Sequence, residues 1–159
     1  MAILFITCGV QGSGKTTLAQ RLEREHRAVR LTADEWILAL HPVESGDEIV
    51  RHRELREIVE GLQWHVAMQV LAAGGNVVLD WGLWSREERD RYRSEAHALG
   101  ARVVLCVLDP PREELLRRLA IRNAQRPDST FRISERELLD ALDRFQRPTP
   151  EELALFDQI

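Results

Sequence analysis

Residues 9–16 carry the clearest chemical signal in this sequence. Their order, Gly-Val-Gln-Gly-Ser-Gly-Lys-Thr, matches the G-x-x-x-x-G-K-[ST] pattern at every required position. Such glycines let backbone N–H groups turn inward around a phosphate, and a helix that follows directs its positive dipole end to the same place. Lys15 then bridges the β- and γ-phosphates, and the Thr16 hydroxyl ligates Mg²⁺. The pattern therefore predicts ATP and Mg²⁺ binding by Gly9, Gln11, Gly12, Ser13, Gly14, Lys15, Thr16 and Thr17.

Two further polar positions follow predicted strands. Asp34 follows the second apolar run after Thr32 and Ala33, and Asp80 comes directly after the third run. The carboxyl ends of parallel strands form one rim, where ligands bind, so we expect Asp34 to face the phosphate loop. Asp80 either holds a magnesium-bound water or substrate group, or it is an ordinary turn residue at the end of a strand.

The elements that must position these residues alternate along the chain. Short apolar runs are followed by longer stretches at helical spacing, which predicts βαβ units, an α/β fold and a parallel sheet. The predicted strands cover residues 3–8, 28–31, 76–79 and 102–108, with a loop at 80–84 after the third strand. The predicted helical stretches cover residues 15–26, 34–40, 48–73 and 112–122, with a further helix between Ser85 and Gly100.

Side-chain patterns add detail to these elements. The capping signatures Ser85 with Glu88, Ser134 with Glu137 and Thr149 with Glu152 predict three helix starts. Residues 42–47 are rich in turn formers and are predicted to be a mobile loop on the substrate side. The long helix is predicted from residues that recur at intervals of three and four: Leu55, Ile58, Leu62, His65, Val66 and Val70.

Length and composition limit the possible classes of protein. The chain has 159 residues, 44% hydrophobic and 30% charged, which fits one globular domain. No apolar stretch is long enough to cross a bilayer, so we expect a cytoplasmic protein that does not associate with membranes. Its two cysteines are expected to remain reduced. A net charge of −4 means that the molecule as a whole does not attract nucleic acid.

The rest of the sequence narrows the kind of nucleotide chemistry. Work-coupled hydrolysis typically uses a glutamate directly after the aspartate of the third strand, and here Trp81 follows Asp80. Guanine-binding switches carry an Asn-Lys-x-Asp motif, which is absent from the chain. Both absences favour a kinase over a motor or a switch.

The combined motifs resemble the small bacterial P-loop kinases related to the kinase domain of polynucleotide kinase, zeta toxins and chloramphenicol phosphotransferase, often labelled AAA-family ATPases. The resemblance rests on residues 9–16, 31–36 and 77–80 and on an arginine series after the fourth strand, which comprises Arg118, Arg122 and Arg126. It implies a single P-loop kinase-like domain over residues 1–159. It also implies a three-layer fold with a parallel sheet of four or five strands in the order 2-3-1-4, and a helical lid at about 118–133.

The resemblance also implies roles for individual residues. Asp34 would accept the proton of the attacking hydroxyl, although it would also suit the start of a short helix as a cap. Arg118 would pack on the adenine and Arg122 would reach the transferring phosphate, with Arg126 as a further candidate. Alternatively, these arginines form a solvated basic face paired with Glu113 and Glu114.

The identity of the phosphate acceptor is the most open point. Related polynucleotide kinases carry an arginine shortly after the catalytic aspartate, but residues 37–39 here are Ile-Leu-Ala, which disfavours a nucleic acid. Carboxylates beside indole rings favour a neutral or cationic acceptor, such as an amino sugar. The alternative is that the tryptophans anchor the core. The candidate acceptor-binding residues are Asp34, Glu35, Trp36, Asp80, Trp81 and Trp84.

The sequence therefore favours an ATP-dependent phosphotransferase that acts on a hydroxyl of a small molecule, such as an antibiotic, nucleoside or sugar. Its predicted catalytic residues are Lys15, Asp34 and Arg122, and Thr16 and Asp80 are the predicted metal-binding residues. Two alternatives remain open. One is a kinase of nucleic-acid 5′-hydroxyl groups, and the other is an ATP-binding toxin or regulatory protein whose effect comes from a partner.

Overall fold

A parallel β-sheet forms the centre of the computed structural model, which describes residues 1–40, 48–125 and 133–159, with the backbone alone for residues 48–54. The sheet has four strands in the order β2-β3-β1-β4, and each neighbouring pair is parallel. The predicted order 2-3-1-4 is therefore confirmed. The strands are β1 (Ile3–Cys8), β2 (Ala28–Leu31), β3 (Asn76–Gly82) and β4 (Arg102–Val107).

Helices cover both faces of this sheet. Helix α1 packs on one face through Ala19 and Leu22, and α3 and α4 pack on the other through residues such as Trp64 and Tyr92. A third cluster, formed by α5 and α6, lies against Cys8 and Val10 beside the phosphate loop. The helices are α1 (Lys15–His26), α2 (Ala33–Leu40), α3 (Glu48–Ala72), α4 (Arg86–Ala98), α5 (Arg112–Gln125), α6 (Glu135–Arg144) and α7 (Pro150–Leu153).

Strand β3 is longer than the sequence predicted. The prediction ended it at residue 79 and placed 80–84 in a loop, whereas the strand continues to Gly82. The extension arises because Gly82 pairs with Cys8 across a register shift, and its carbonyl accepts the Gly9 N–H at 2.9 Å. Asp80 and Trp81 are therefore strand residues, and their side chains point to opposite faces of the sheet.

The spaced apolar residues that predicted α3 face the core only in part, through Val66 and Val70. Ile58 and Leu62 are 60% and 57% exposed, and His65 is also exposed. Apolar residues lie on several sides of this helix, so their spacing alone did not identify the side that faces the sheet. Among residues 55–72 of α3, the buried side chains are those of Val59, Gln63, Trp64, Ala67 and Leu71.

The predicted helix starts are confirmed in two cases and partly in the third. Ser85 and Ser134 each form a complete capping box with the glutamate three residues later. Thr149 caps α7 by accepting the Glu152 N–H at 3.3 Å, but the Glu152 carboxylate turns into the interior to contact Arg89. The predicted mobile loop at 42–47 lies outside the described residues.

Both cysteines are free thiols, and Cys8 is buried at the end of β1. Within residues 1–40, 48–125 and 133–159, no helix combines the length and apolar character that a membrane span requires.

Candidate functional site

The phosphate loop joins β1 to α1 and is held tightly at its first glycine. A Cβ added at Gly9 would lie 2.3 Å from the Leu108 carbonyl oxygen, so only glycine fits there. Gly14 has a φ of 97° and stands immediately before α1, which begins at Lys15. The backbone N–H groups of the first turn of a helix are available to an anion, so the loop presents donors where the motif places a phosphate.

Ser13 supports that interpretation from inside the loop. Its hydroxyl oxygen is buried and has no hydrogen-bond partner among the residues that the structure describes. A buried hydroxyl without a partner costs free energy, which a hydrogen bond to a phosphate oxygen would recover. The loop therefore fits a nucleotide phosphate both in shape and in its unused donor.

Lys15 lies folded over the same loop. Its Nζ donates to the Val10 carbonyl oxygen at 2.7 Å. Burial lowers the pKa of Lys15 to about 8, while the carboxylates of Asp80 and Asp34 act in the opposite direction. Both predicted carboxylates are thus close enough to affect the charge of this lysine.

Asp80 lies at the C-terminal end of β3, beside the first residues of α1. Thr32 Oγ1 donates to Asp80 Oδ2 at 3.2 Å, and Thr16 also forms a hydrogen bond with this carboxylate. Burial raises the pKa of Asp80, whereas these hydrogen bonds and the charge of Lys15 lower it. Because Lys15 and Thr16 lie at the end of the phosphate loop, their effects on Asp80 indicate that its carboxylate faces this loop.

A hydroxyl and a carboxylate at this position fit Mg²⁺, which prefers oxygen ligands and usually completes its coordination with substrate phosphates and water. Among the described residues, no group of three or more His, Cys, Asp or Glu side chains is placed to hold a metal ion. Thr16 and Asp80 therefore suit a metal that is held largely by the nucleotide.

Asp34 lies in the first turn of α2, which begins one residue earlier at Ala33. Its Oδ1 accepts a hydrogen bond from the Arg56 Nη2 of α3, and Arg56 Nη1 donates to Glu60 Oε1 at 3.2 Å. Asp34 is therefore an ion-paired rim residue, which argues against helix capping as its main role. The sequence interpretation missed Arg56 and Glu60, for which the available signal was their four-residue spacing on a charged stretch.

The two described arginines of the predicted lid both approach the loop from α5. Arg118 Nη1 donates to the Ser13 carbonyl oxygen at 3.3 Å, and its Nε donates to Glu114 Oε1 at 2.6 Å. Burial lowers the pKa of Arg122, and the charge of Asp34 raises it. The charge of Arg122 also acts on Lys15, so it lies near both proposed catalytic residues. Arg126 lies outside the described residues, as do residues 126–132 of the predicted lid.

The three candidate tryptophans occupy different environments. Trp81 is buried in the core, where its Nε1 donates to Gln63 Oε1 at 2.7 Å and its ring packs edge-on against Tyr92. Trp84 donates through Nε1 to the Gly9 carbonyl oxygen at 3.2 Å, so it braces the phosphate loop. Trp36 is 37% exposed on α2, beside Asp34. Packing therefore accounts for Trp81 and Trp84, whereas part of the Trp36 side chain is exposed.

The remaining candidates lie at the edges of the site. Glu35 accepts a hydrogen bond from Arg30 Nη1 at 2.8 Å, which offsets its charge. Thr17 lines an open groove of about 490 Å³ next to the phosphate loop, together with Gly14, Leu18, Arg21, Arg24 and Leu108. This groove adjoins the position that the motif assigns to the phosphates.

Comparison with known proteins supports a shared architecture. The sequence profile of a family described as AAA domain matches residues 4–148. No curated protein matches the chain.

Among solved structures, one chain of the Pnkp1/Rnl/Hen1 RNA repair complex is 22% identical with a TM-score of 0.70, over 98% of this chain and 46% of that chain. The PezAT toxin–antitoxin system of Streptococcus pneumoniae gives 18% identity and a TM-score of 0.67, over 99% of this chain and 65% of that chain. A gluconokinase from Sinorhizobium meliloti 1021 gives 21% identity and a TM-score of 0.59, over 92% of this chain and 77% of that chain. These matches show a common fold, which confirms the predicted P-loop architecture.

Proposed function

The chain belongs to the AAA domain family, and on that premise we propose that it is a phosphotransferase that moves the γ-phosphate of ATP to a hydroxyl group of a small molecule. The resemblance to the P-loop kinases of the polynucleotide kinase and zeta toxin group is confirmed by the matched family and the shared fold. The observation that carries the proposal is the convergence of Lys15, Asp34 and Arg122. The charge of Asp34 acts on both cationic residues, which come from two other helices.

The donor side of the proposed reaction follows from the phosphate loop. The N–H groups at the start of α1 and the hydroxyl of Ser13 would bind phosphate oxygens, and Lys15 would exchange its contact with Val10 for one with the γ-phosphate. Thr16 and Asp80 would hold Mg²⁺, which supplies positive charge beside the phosphates when it is bound. Arg118 would cover the loop from α5, where it already contacts Ser13.

On the acceptor side, Asp34 would accept a hydrogen bond from the attacking hydroxyl and orient its oxygen toward the γ-phosphorus. As the new oxygen–phosphorus bond forms, the bond between the γ-phosphorus and the bridging oxygen breaks, and ADP leaves with that electron pair. Asp34 takes the hydroxyl proton and returns it to water. Lys15 and Arg122 would stabilise the charge on the transferring group.

The chain is similar both to a gluconokinase and to one chain of an RNA repair complex, so the acceptor has to be identified by direct assay. Purified protein would be incubated with γ-labelled ATP and with neutral sugars, amino sugars, nucleosides or a hydroxyl-ended oligonucleotide. Transfer to a small molecule supports the proposal. Transfer to the oligonucleotide alone supports the nucleic-acid alternative, and tight ATP binding without transfer supports a regulatory or toxin-like role.

Substitution of Asp34 tests the proposed catalytic role. We expect Asp34→Asn to lower kcat by about 100-fold or more, because general-base positioning contributes roughly that much, with little change in the KM for ATP. The matched control is Asp90→Asn on α4, a half-buried carboxylate that pairs with Arg86 and Arg93 outside the candidate site. Equal kcat values for Asp34→Asn and the control would refute the role of Asp34.

A further inference from the structure

Arg56 connects the two helices that border the acceptor side of the site. From α3 it donates through Nη2 to Asp34 Oδ1 on α2 and through Nη1 to Glu60 Oε1, one turn further along α3. The Arg56 and Asp34 side chains are 38% and 43% exposed, so the link lies at the rim and is open to solvent. None of the sequence motifs pointed to it.

The contact with Arg56 gives the two oxygens of the Asp34 carboxylate different roles. Arg56 engages Oδ1, which restricts rotation of the carboxylate and leaves Oδ2 to accept a hydrogen bond from an acceptor hydroxyl. Small errors in the position of a reacting group cost much of the rate in a transfer that depends on alignment. A guanidinium that fixes the carboxylate would therefore contribute to catalysis without touching the reacting atoms.

Glu60 in turn holds Arg56. It is less exposed than Arg56, and burial raises its pKa while the adjacent guanidinium lowers it. The charges of Glu88 and Asp34 also raise the pKa of Glu60, and of these carboxylates Arg56 contacts those of Asp34 and Glu60. A supporting contact of this kind keeps a functional side chain in a single orientation.

The local charge also bears on the acceptor. Asp34 and Glu60 carry two negative charges and Arg56 carries one positive charge. The three side chains together therefore carry one net negative charge. Lys15 and Arg122 lie on the phosphate side, where the charges of a bound nucleotide would offset them. An anionic group beside the reacting hydroxyl would meet repulsion here, whereas a neutral or cationic group would not.

We propose that Arg56, supported by Glu60, is a positioning residue for Asp34, and that this subsite accepts polyhydroxyl compounds with no anionic group next to the reacting oxygen. The inference rests on the proposed phosphotransfer and deepens it by naming an acceptor class and a residue that orients the base. Arg56 acts only through Asp34.

A double-mutant cycle tests the positioning role. Rates of ATP turnover, with water and with D-glucosamine as probe acceptors, would be measured for Arg56→Gln, Asp34→Asn and the double variant. We expect Arg56→Gln to lower kcat by about 10-fold to 100-fold with an unchanged KM for ATP, and to add less than about twofold to the effect of Asp34→Asn. Arg56→Lys should restore part of the loss.

The control is Arg91→Gln, which removes a comparable arginine that pairs with Glu95 on α4. Its kcat should equal that of the wild type. If the rate losses of the two single variants multiply in the double variant, Arg56 acts independently of Asp34. That outcome would overturn the positioning role. An Arg56→Gln rate equal to the Arg91→Gln rate would overturn it as well, as would a rate loss explained by a lower Tm.

The acceptor class is tested with the wild-type protein and three sugars that differ in charge and share the hydroxyl groups at C1, C3 and C4: glucose, glucosamine and glucuronate. Each would also be measured as a competitor of transfer to the others. Transfer to one of the shared hydroxyl groups of glucose or glucosamine, with glucuronate at least about 10-fold poorer, supports the inference. Preferential transfer to glucuronate would overturn the charge selection but leave the phosphotransferase proposal intact. Absence of transfer to all three and of ATP hydrolysis would count against both proposals.

Discussion

Arg89 and Glu152 form an ion pair in the interior with two hydrogen bonds, from Arg89 Nε to Oε1 at 2.6 Å and from Nη2 to Oε2 at 3.0 Å. Their side chains are 0% and 1% exposed. The other N–H donors of Arg89 reach the carbonyl oxygens of Leu83, Trp84 and Gln146. A guanidinium has five donors, and all five are used here. The pair therefore ties the C-terminal segment to the turn that follows β3.

That turn bears on the phosphate loop. Trp84, whose carbonyl accepts from Arg89, donates through its indole to the carbonyl oxygen of Gly9. Arg89 Nη1 also lies 3.8 Å from Sγ of Cys8, the last residue of β1. Through its contacts with Trp84 and Cys8, the buried pair thus supports Gly9, the first glycine of the phosphate loop. Neither Arg89 nor Glu152 lies in the candidate site.

Loss of one partner of this pair should destabilise the fold strongly. We expect Arg89→Met to lower the free energy of unfolding by about 3–5 kcal/mol, because Glu152 would remain buried without its counter-charge. Urea unfolding monitored by tryptophan fluorescence would measure the change. The exposed pair of Arg91 with Glu95 provides the control, since Arg91→Met should cost less than about 1 kcal/mol. Similar losses for the two variants would contradict this account.

A second variant separates the charge effect from packing. Replacing both partners, Arg89→Met with Glu152→Leu, removes the isolated charge, so part of the lost stability should return. A double variant no more stable than Arg89→Met alone would instead assign the loss to the carbonyl groups that Arg89 leaves without a donor.

Much of the fold was predictable because its signals are local. The phosphate loop, the bounds of β1 and α1, and the capping boxes at Ser85 and Ser134 each depend on residues close together in sequence. Glu152 shows where such signals fail. Its spacing from Thr149 suggested a capping box, but the long-range contact with Arg89 determines where its carboxylate points.

The acceptor side was less predictable for two physical reasons. Side chains alternate across a strand, so extension of β3 to Gly82 turned Trp81 into the core while Asp80 faced the loop. The contact between Arg56 and Asp34 depends on how α3 packs against α2. Because apolar residues lie on several sides of α3, the sequence did not show which side of this helix faces the sheet. Ile58 and Leu62, for example, are apolar but exposed.

Two glycines offer a contrast between a required glycine and a dispensable one. Gly9 has a φ of 154°, and an added Cβ would lie 2.3 Å from the Leu108 carbonyl oxygen and 2.8 Å from Ser13 Oγ. We expect Gly9→Ala to displace the loop, to weaken ATP binding by at least about 10-fold and to destabilise the protein by about 1–3 kcal/mol. Nucleotide titration and urea unfolding would measure the two effects.

Gly61 is the matched control for this substitution. It lies within α3, and no atom approaches the position of an added Cβ within 4 Å. Because glycine weakens a helix interior, Gly61→Ala should stabilise the protein by about 1 kcal/mol and leave nucleotide binding unchanged. Equal ATP affinities of the two variants would contradict the steric role assigned to Gly9.

The pKa of Lys15 predicts the pH dependence of the free protein. Burial lowers this pKa from the ordinary value of 10.5 to about 8. Between these two values the unfolded chain therefore binds a proton that the folded protein has lost. The contribution of Lys15 to the free energy of unfolding should thus rise with pH across this window. Lys15→Met should remove that contribution, as measured by urea unfolding at a series of pH values.

Nucleotide binding should show the opposite pH dependence. Phosphate charges next to Lys15 would favour its ammonium form, so the pKa should be higher in the complex than in the free protein. ATP binding above about pH 8 should then take up a proton, and affinity should fall by up to about tenfold for each pH unit. Calorimetry at about pH 8.5 in two buffers of different ionisation enthalpy measures this uptake. Lys15→Met, which carries no titratable group there, should show none. Equal uptake by both proteins would assign the proton to another group.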